Sequence, residues 1–166
     1  MSLDHNPKEN LKEAEEIFTN FLKKNSLSIT KTRLKILSVI YQIEGHFTID
    51  ELELKLGDTS GTQKASIYRT IKHLLEAGLI AKIQTSSHTK VAYEHTIGHH
   101  HHDHLVCDRC GDIIEFHSEE IESIQENVAK QFEFELLHHS MVLTGICKSC
   151  QKFKQKKSPS NVIHIV

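Results

Sequence analysis

The residues best suited to chemistry crowd into the stretch Glu94 to Glu115, which holds six histidines, two cysteines and several carboxylates. Nitrogen, sulfur and oxygen donors so close together are the raw material of metal sites. A second Cys-x-x-Cys, Cys147 and Cys150, matches the first, Cys107 and Cys110. Two residues between paired sulfurs let one tight turn aim both at a single ion, so the four cysteines form a candidate tetrahedral zinc site. The long span 111–146 between the pairs must fold back to close it. A redox-active Cys-x-x-Cys is the weaker reading, because it explains two paired motifs poorly and no thioredoxin-like pattern surrounds them.

The histidines divide by parity. In an extended chain His102 and His104 point one way, and His101 and Asp103 the other. One strand can therefore feed two ligand sets, each needing partners from elsewhere. Glu94, His46, Glu115, Glu122 and His139 are the candidates. His5, His88, His99, His100, His117 and His164 read as ordinary surface histidines. A hydrolytic zinc centre would need an open coordination position and a general base. The sequence has no His-Glu-x-x-His, and Asp103 flanked by ligands is not evidence enough for a catalytic base, so no enzyme is expected. A ligand-saturated metal that changes DNA affinity, or turnover of an ester or peptide, separates the two readings.

The elements that position these groups follow from periodicity. Leu11, Ala14, Ile17, Phe18, Phe21 and Leu22 recur at helical spacing behind Asn6-Pro7, and Leu34, Leu37, Ile40 and Tyr41 do so behind Thr30. Thr48 and Glu51 predict a capping box ahead of a short helix closed by Gly57. A fourth helix over 62–77 places Ile67, Ile71, Leu74 and Leu75 on one face and Ala65, Tyr68, Arg69 and Lys72 on another, with Gly78 as its stop. Residues 79–83 and 90–93 read as a hairpin, which makes residues 1–93 a winged helix-turn-helix. A hinge is expected at 94–98, a second domain at 99–153 and a basic tail at 154–166. Within the second domain, 105–106, 113–114, 132–137 and 141–146 read as strands and Ser118 opens a helix carrying Ile121, Ile124 and Val128. The fold class is thus α+β: an N-terminal winged helix and a C-terminal α/β domain with a structural zinc.

The chain has 166 residues, 38 % of them apolar, and a formal charge of −2, so it has no overall basic field. Nucleic-acid binding would depend on a local patch. Between Lys64 and Lys82 stand Lys64, Arg69, Lys72 and Lys82 against Glu76 alone, a small basic patch on the fourth helix and the hairpin. Entry of that helix into a major groove would set Tyr68 and Arg69 on bases and Lys72 and Lys82 near phosphates. The polar start and the lack of a long apolar run give the expectation of a cytoplasmic protein with no membrane partner.

The stretches Thr-Lys-Thr-Arg-Leu-Lys-Ile-Leu (30–37), Ala-Ser-Ile-Tyr-Arg-Thr-Ile (65–71), Gly-Leu-Ile (78–80), His-His-His-Asp-His-Leu-Val-Cys-Asp-Arg-Cys-Gly (100–111), Ile-Glu-Phe (114–116) and the final Cys-Lys-Ser-Cys together resemble the ferric uptake regulator family of metal-dependent repressors. The resemblance spans roughly Asn25 to Cys150. It implies a homodimer bound to a palindromic double-stranded operator, the C-terminal domain being the dimerisation domain. It implies structural zinc on Cys107, Cys110, Cys147 and Cys150, a regulatory metal on His46, Glu94, His102, His104 and Glu115, and an additional site of His101, Asp103, Glu122 and His139. Ala65, Tyr68 and Arg69 fall in its base-reading segment, and Arg33 matches a backbone contact. The segment from Glu94 to His99 is one residue longer than the family's usual spacing, so Glu94 and His95 compete for one ligand position. Ser28 stands where many members carry a minor-groove lysine. Glu115 is the residue of iron-sensing members, where peroxide-sensing relatives have Asp. The implied regulatory ion is therefore ferrous iron, with manganese or zinc able to substitute; a peroxide sensor or a sensor of zinc, manganese or nickel is the alternative, and a metal store or carrier is the alternative of a different class.

Overall fold

The computed structural model describes residues 7–57, 62–83, 91–98 and 101–152. Asn6, the turn 58–61, the hairpin turn 84–89 with Lys90, His5, His88, His99, His100, His164 and the tail from 154 lie outside the described residues.

Four helices build the first unit. α1 is Pro7–Lys24, α2 Lys31–Ile40, α3 Ile49–Leu56 and α4 Thr62–Glu76. Thr30 caps α2 by accepting the Arg33 backbone N–H. The capping box of α3 is complete, with the Thr48 side chain on the Glu51 N–H and the Glu51 carboxylate on the Thr48 N–H, and Gly57 ends the helix in the left-handed region at φ 72°. Ala14, Phe18, Leu22, Ile36, Leu37, Ile40, Leu52, Ile67, Ile71 and Leu74 interlock in one core. Most of these lie on the apolar faces that the periodicity marks, with two departures: Ile17 is exposed at the edge of its face, and Ile36 is buried although the spacing does not single it out.

β2 (Ile80–Ile83) and β3 (Ala92–His95) form the antiparallel hairpin, and a two-residue strand that the sequence reading missed, β1 (Phe47–Thr48), adds to the free edge of β3. β3 runs two residues past the expected strand end, so Glu94 and His95 are paired with Ala81 and Ile80. Alternation along β3 has a direct consequence for the site. Tyr93 joins the helical core and stacks on Phe47, whereas Ala92 turns to the other face and meets Ile83 and Val106 in a small second core.

Val106 belongs to β4 (Asp103–Cys107), the central strand of a second sheet. β5 (Ile113–Phe116) pairs with it antiparallel and β6 (Val142–Gly145) parallel, the crossover to β6 being α5 (Glu119–Gln131) capped by Ser118. A short α6 (Lys148–Lys152), also unanticipated, carries the last cysteine. The expected strand over 132–137 does not form. A strand needs a neighbouring backbone, and none of the described residues offers one there; Glu133 instead takes φ 57°, and Phe132, Phe134, Leu136 and Leu137 are exposed.

Candidate metal centres and nucleic-acid face

Three groups of metal-ligating side chains converge, each with ligand atoms within 4.8 Å of one another. The first is Cys107, Cys110, Cys147 and Cys150. Cys107 ends β4 and Cys110 sits in the turn that follows, while Cys147 immediately precedes α6 and Cys150 lies within it. Cys110 Sγ and Cys147 Sγ are 3.7 Å apart. A tetrahedron with bonds of about 2.3 Å has edges of about 3.8 Å, so the separation fits four thiolates on one zinc and no disulfide joins any of them. The Cys147 backbone N–H points at Cys107 Sγ at 3.3 Å. That contact leads the causes that lower the Cys107 thiol to about 6. Burial and the neighbouring sulfurs instead push the Cys150 thiol up, so the metal-free cluster favours the thiolate at some of its members and not at others.

The second group joins the two sheets. His46 comes from the loop before β1, Glu94 from β3, and His102 and His104 from the start of β4. Glu94 Oε2 lies 3.0 Å from His102 Nε2, 3.4 Å from His104 Nε2 and 3.6 Å from His46 Nε2, while His104 and His46 approach to 3.1 Å. Ligand atoms about 2.1 Å from one ion are separated by about 3.0 Å at octahedral and about 3.4 Å at tetrahedral angles, so this set fits an ion without rearrangement. Glu115, the register partner of His104, reaches His46 at 3.4 Å and His102 at 3.9 Å from the rim. Burial raises the Glu94 carboxyl, but hydrogen bonds from His104 and His46 outweigh it and hold the group well below the usual carboxylate range. His95 takes no part. It is buried, stacks on Tyr41 at 4.7 Å and places Nδ1 3.3 Å from the Ile97 carbonyl, so strand parity gives the ligand direction to Glu94.

The third group is His101, Glu122 and His139, with Asp103 beside it. His101 Nε2 is 3.3 Å from Glu122 Oε1 and 3.7 Å from Asp103 Oδ1, and His139 Nε2 is 3.0 Å from Glu122 Oε2. Asp103 Oδ1 accepts the Met141 N–H, but Asp103 Oδ2, Glu122 Oε1 and His139 Nε2 are buried with no hydrogen-bond partner. Buried polar atoms left unmade are costly. Donor atoms that lie this close without hydrogen-bonding one another are of the kind that a cation would bridge. The alternation expected of His101 to His104 thus holds even though the regular strand begins only at Asp103.

In the first unit α4 buries Ile67, Ile71 and Leu74 and exposes Ala65, Tyr68, Arg69 and Lys72, with Lys82 exposed on β2. Arg33 hydrogen-bonds the Ser28 carbonyl and shares with Arg69, Ser66, Thr30 and Thr32 a polar cleft of about 250 Å³. Lys72 pairs loosely with Glu76 at 3.8 Å. No helix among the described residues is long and apolar enough to cross a membrane.

Comparison with known proteins agrees with this geometry. The sequence profile of the Ferric uptake regulator family matches residues 24–144. The ferric uptake regulation protein of Neisseria gonorrhoeae is 33 % identical over 140 residues, covering 82 % of this chain and 96 % of that protein. Its counterpart in Vibrio anguillarum is 39 % identical over 137 residues, 79 % of this chain and 89 % of the other. Among solved structures, the Helicobacter pylori ferric uptake regulator, described as having three functional metal binding sites, superposes with a TM-score of 0.73 at 31 % identity, over 89 % of this chain and 96 % of that one. This chain belongs to the ferric uptake regulator family.

Proposed function

We propose that the chain is a homodimeric, metal-responsive transcriptional repressor that answers to ferrous iron and binds a palindromic DNA operator. The observation that carries this reading is the second group. His46 and Glu94 belong to the unit that bears the DNA-facing helix, and His102, His104 and Glu115 to the other sheet. Ferrous iron, when bound, supplies one Lewis-acid centre able to accept all five donors at once, and zinc or manganese can take its place. The contact that the ligands reinforce is slight: among the described residues the second core buries Ile83, Ala92 and Val106, with Ile113 and Val142 partly buried against them. Beside it, α3 and the first cysteine turn face each other across an open cleft of about 650 Å³. Ligand residues drawn together from both units therefore fix the angle at which α4 is presented. The resulting shift in population is limited to the difference in metal affinity between closed and open arrangements.

In this reading Ala65, Tyr68 and Arg69 meet base edges, and Arg33, Lys72 and Lys82 meet phosphates. The four cysteines hold structural zinc, and His101, Asp103, Glu122 and His139 hold an additional ion. Residues 1–93 serve as the DNA-binding domain and 99–153 as the dimerisation domain. The exposed apolar surface of Ile124, Val128, Phe132, Phe134 and Leu136 supports the dimer, since a second copy would cover it.

The test is an anaerobic ferrous titration, read by fluorescence anisotropy on a duplex selected from a random library at fixed salt. Wild-type protein gains affinity with metal, and His102→Ala loses that gain. Metal-dependent binding that survives His102→Ala sinks the regulatory assignment, and metal binding without any duplex affinity makes the protein a metal carrier instead.

A further inference from the structure

His117 stands against the third group although its sequence context marks it as a surface histidine. Ser118 caps α5, which makes His117 the residue before the cap and Glu122 the fourth residue of the helix. Those two positions meet at helix starts, where an apolar pair often staples the entering chain. Here the pair is an imidazole and a carboxylate. His117 Nδ1 lies 3.8 Å from Glu122 Oε1, the same oxygen that His101 Nε2 approaches at 3.3 Å. That oxygen is one of the three atoms around this group that are buried without a hydrogen-bond partner.

The distance discriminates between roles. At 3.8 Å the contact is too long for a hydrogen bond. Two ligand atoms on one ion, with bonds of about 2.1 Å, range from about 3.0 Å apart at right angles to about 4.2 Å when opposite, so the pair falls inside that window. His117 stands outside the set of ligand atoms that lie within 4.8 Å of one another, but its side chain is 54 % exposed, so its ring can turn toward that set without unpacking a core.

We propose that His117 is a further ligand of the site formed by His101, Asp103, Glu122 and His139, a third imidazole that closes its solvent side. The proposal rests on reading that group as a metal site. A third nitrogen donor strengthens binding of later first-row ions more than of manganese, so His117 sets selectivity as well as affinity.

The experiment uses the zinc-loaded full chain carrying His46→Ala and His102→Ala, which silences the second group, titrated with cobalt(II) as the probe. Absorption spectra follow binding, and X-ray absorption counts imidazoles. The parent is expected to bind cobalt(II) with three imidazoles. Both His117→Ala and His117→Gln should lower affinity at least about tenfold and reduce the count to two. Their affinity for manganese(II) should fall less. If His117→Gln, which can still hydrogen-bond Glu122, keeps parental affinity and spectrum, His117 only staples the helix and the proposal fails while the site stands. If the parent binds no cobalt(II) that Glu122→Ala abolishes, the group is no metal site and both readings fall.

Discussion

Removing the structural zinc should unfold one half of the chain and spare the other. In the first unit the interlocked helices bury Phe18, Leu22, Leu37, Ile40, Leu52, Ile67 and Leu74 almost completely. Over residues 101–152 the buried apolar side chains are Val106 and Cys107, and α5 buries none. Burying a valine contributes about 1.5–3 kcal/mol. A four-thiolate zinc contributes about 10–16 kcal/mol at neutral pH. Zinc held by the four cysteines would therefore be the dominant local interaction of the second sheet, since β4, β5 and β6 all lead into those residues. If a third of that free energy is lost on chelation, about 3–5 kcal/mol, amide exchange speeds up between about a hundredfold and a few thousandfold. The assay is hydrogen exchange read by mass spectrometry on reduced protein, with zinc content measured in parallel. Amides of Leu105, Val106 and Leu143 should lose protection, while those of α1 and α4 keep it. Zinc-free protein with slow exchange throughout β4 and β6 refutes the reasoning.

Three other perturbations follow from the geometry. Glu94 is ionised well below its ordinary range, so its stabilising contribution is fully present above the unfolded value of about 4.3 and disappears as pH falls toward the depressed folded value. Urea denaturation of metal-free Glu94→Gln should accordingly show a deficit at pH 7 that shrinks under acid; a deficit independent of pH counts against the histidine contacts as its source. Arg69→Ala should weaken binding to the selected duplex by about 1–3 kcal/mol and relax its base preference, whereas Lys72→Ala should weaken all duplexes alike and lower the salt slope by about one; identical behaviour of the two variants in anisotropy titrations contradicts their division of labour. Val128→Asp places a charge on the apolar α5 face and should shift sedimentation from dimer toward monomer; an unchanged dimer would mean that this face is not the interface.

What the sequence made legible was local or periodic. The capping box at Thr48 and Glu51, the Thr30 cap, the buried face of α4 and the left-handed stop at Gly57 depend on residues within one or two turns of each other. The cysteine pairing was equally plain, because its geometry is set by the two-residue spacing. Pairing across the chain was less accessible. β1 has two residues and exists only because β3 has a free edge, and α6 forms where the second cysteine pair turns toward the first. The segment 132–137 has the composition of a strand, but the backbone it would need is not among the described residues of a single chain. His117 reads as a surface residue and is exposed, and its approach to Glu122 is also local: once Ser118 is taken as a cap, the histidine before it and the carboxylate at Glu122 fall on the same side of the helix start.

The choice between Glu94 and His95 shows how little extra information resolves a functional ambiguity. Spacing left both open, yet a strand has only two faces. Tyr93 is committed to the helical core by its stacking on Phe47, so His95, two residues on, follows it inward and stacks on Tyr41. Glu94 is left facing His102 and His104, on the same side as Ala92 against Val106. The same rule of two divides His101 and Asp103 from His102 and His104 on the adjoining strand. Two short strands, each turning alternate residues to opposite sides, thus place one ligand group between the units and another against α5. Core packing sets the phase of β3: the large aromatic at Tyr93 fixes which neighbour can be a ligand. Moving that aromatic by one position would turn Glu94 inward and bury an unpaired carboxylate among Phe47 and Tyr41, so the hydrophobic core and the metal group specify the same register.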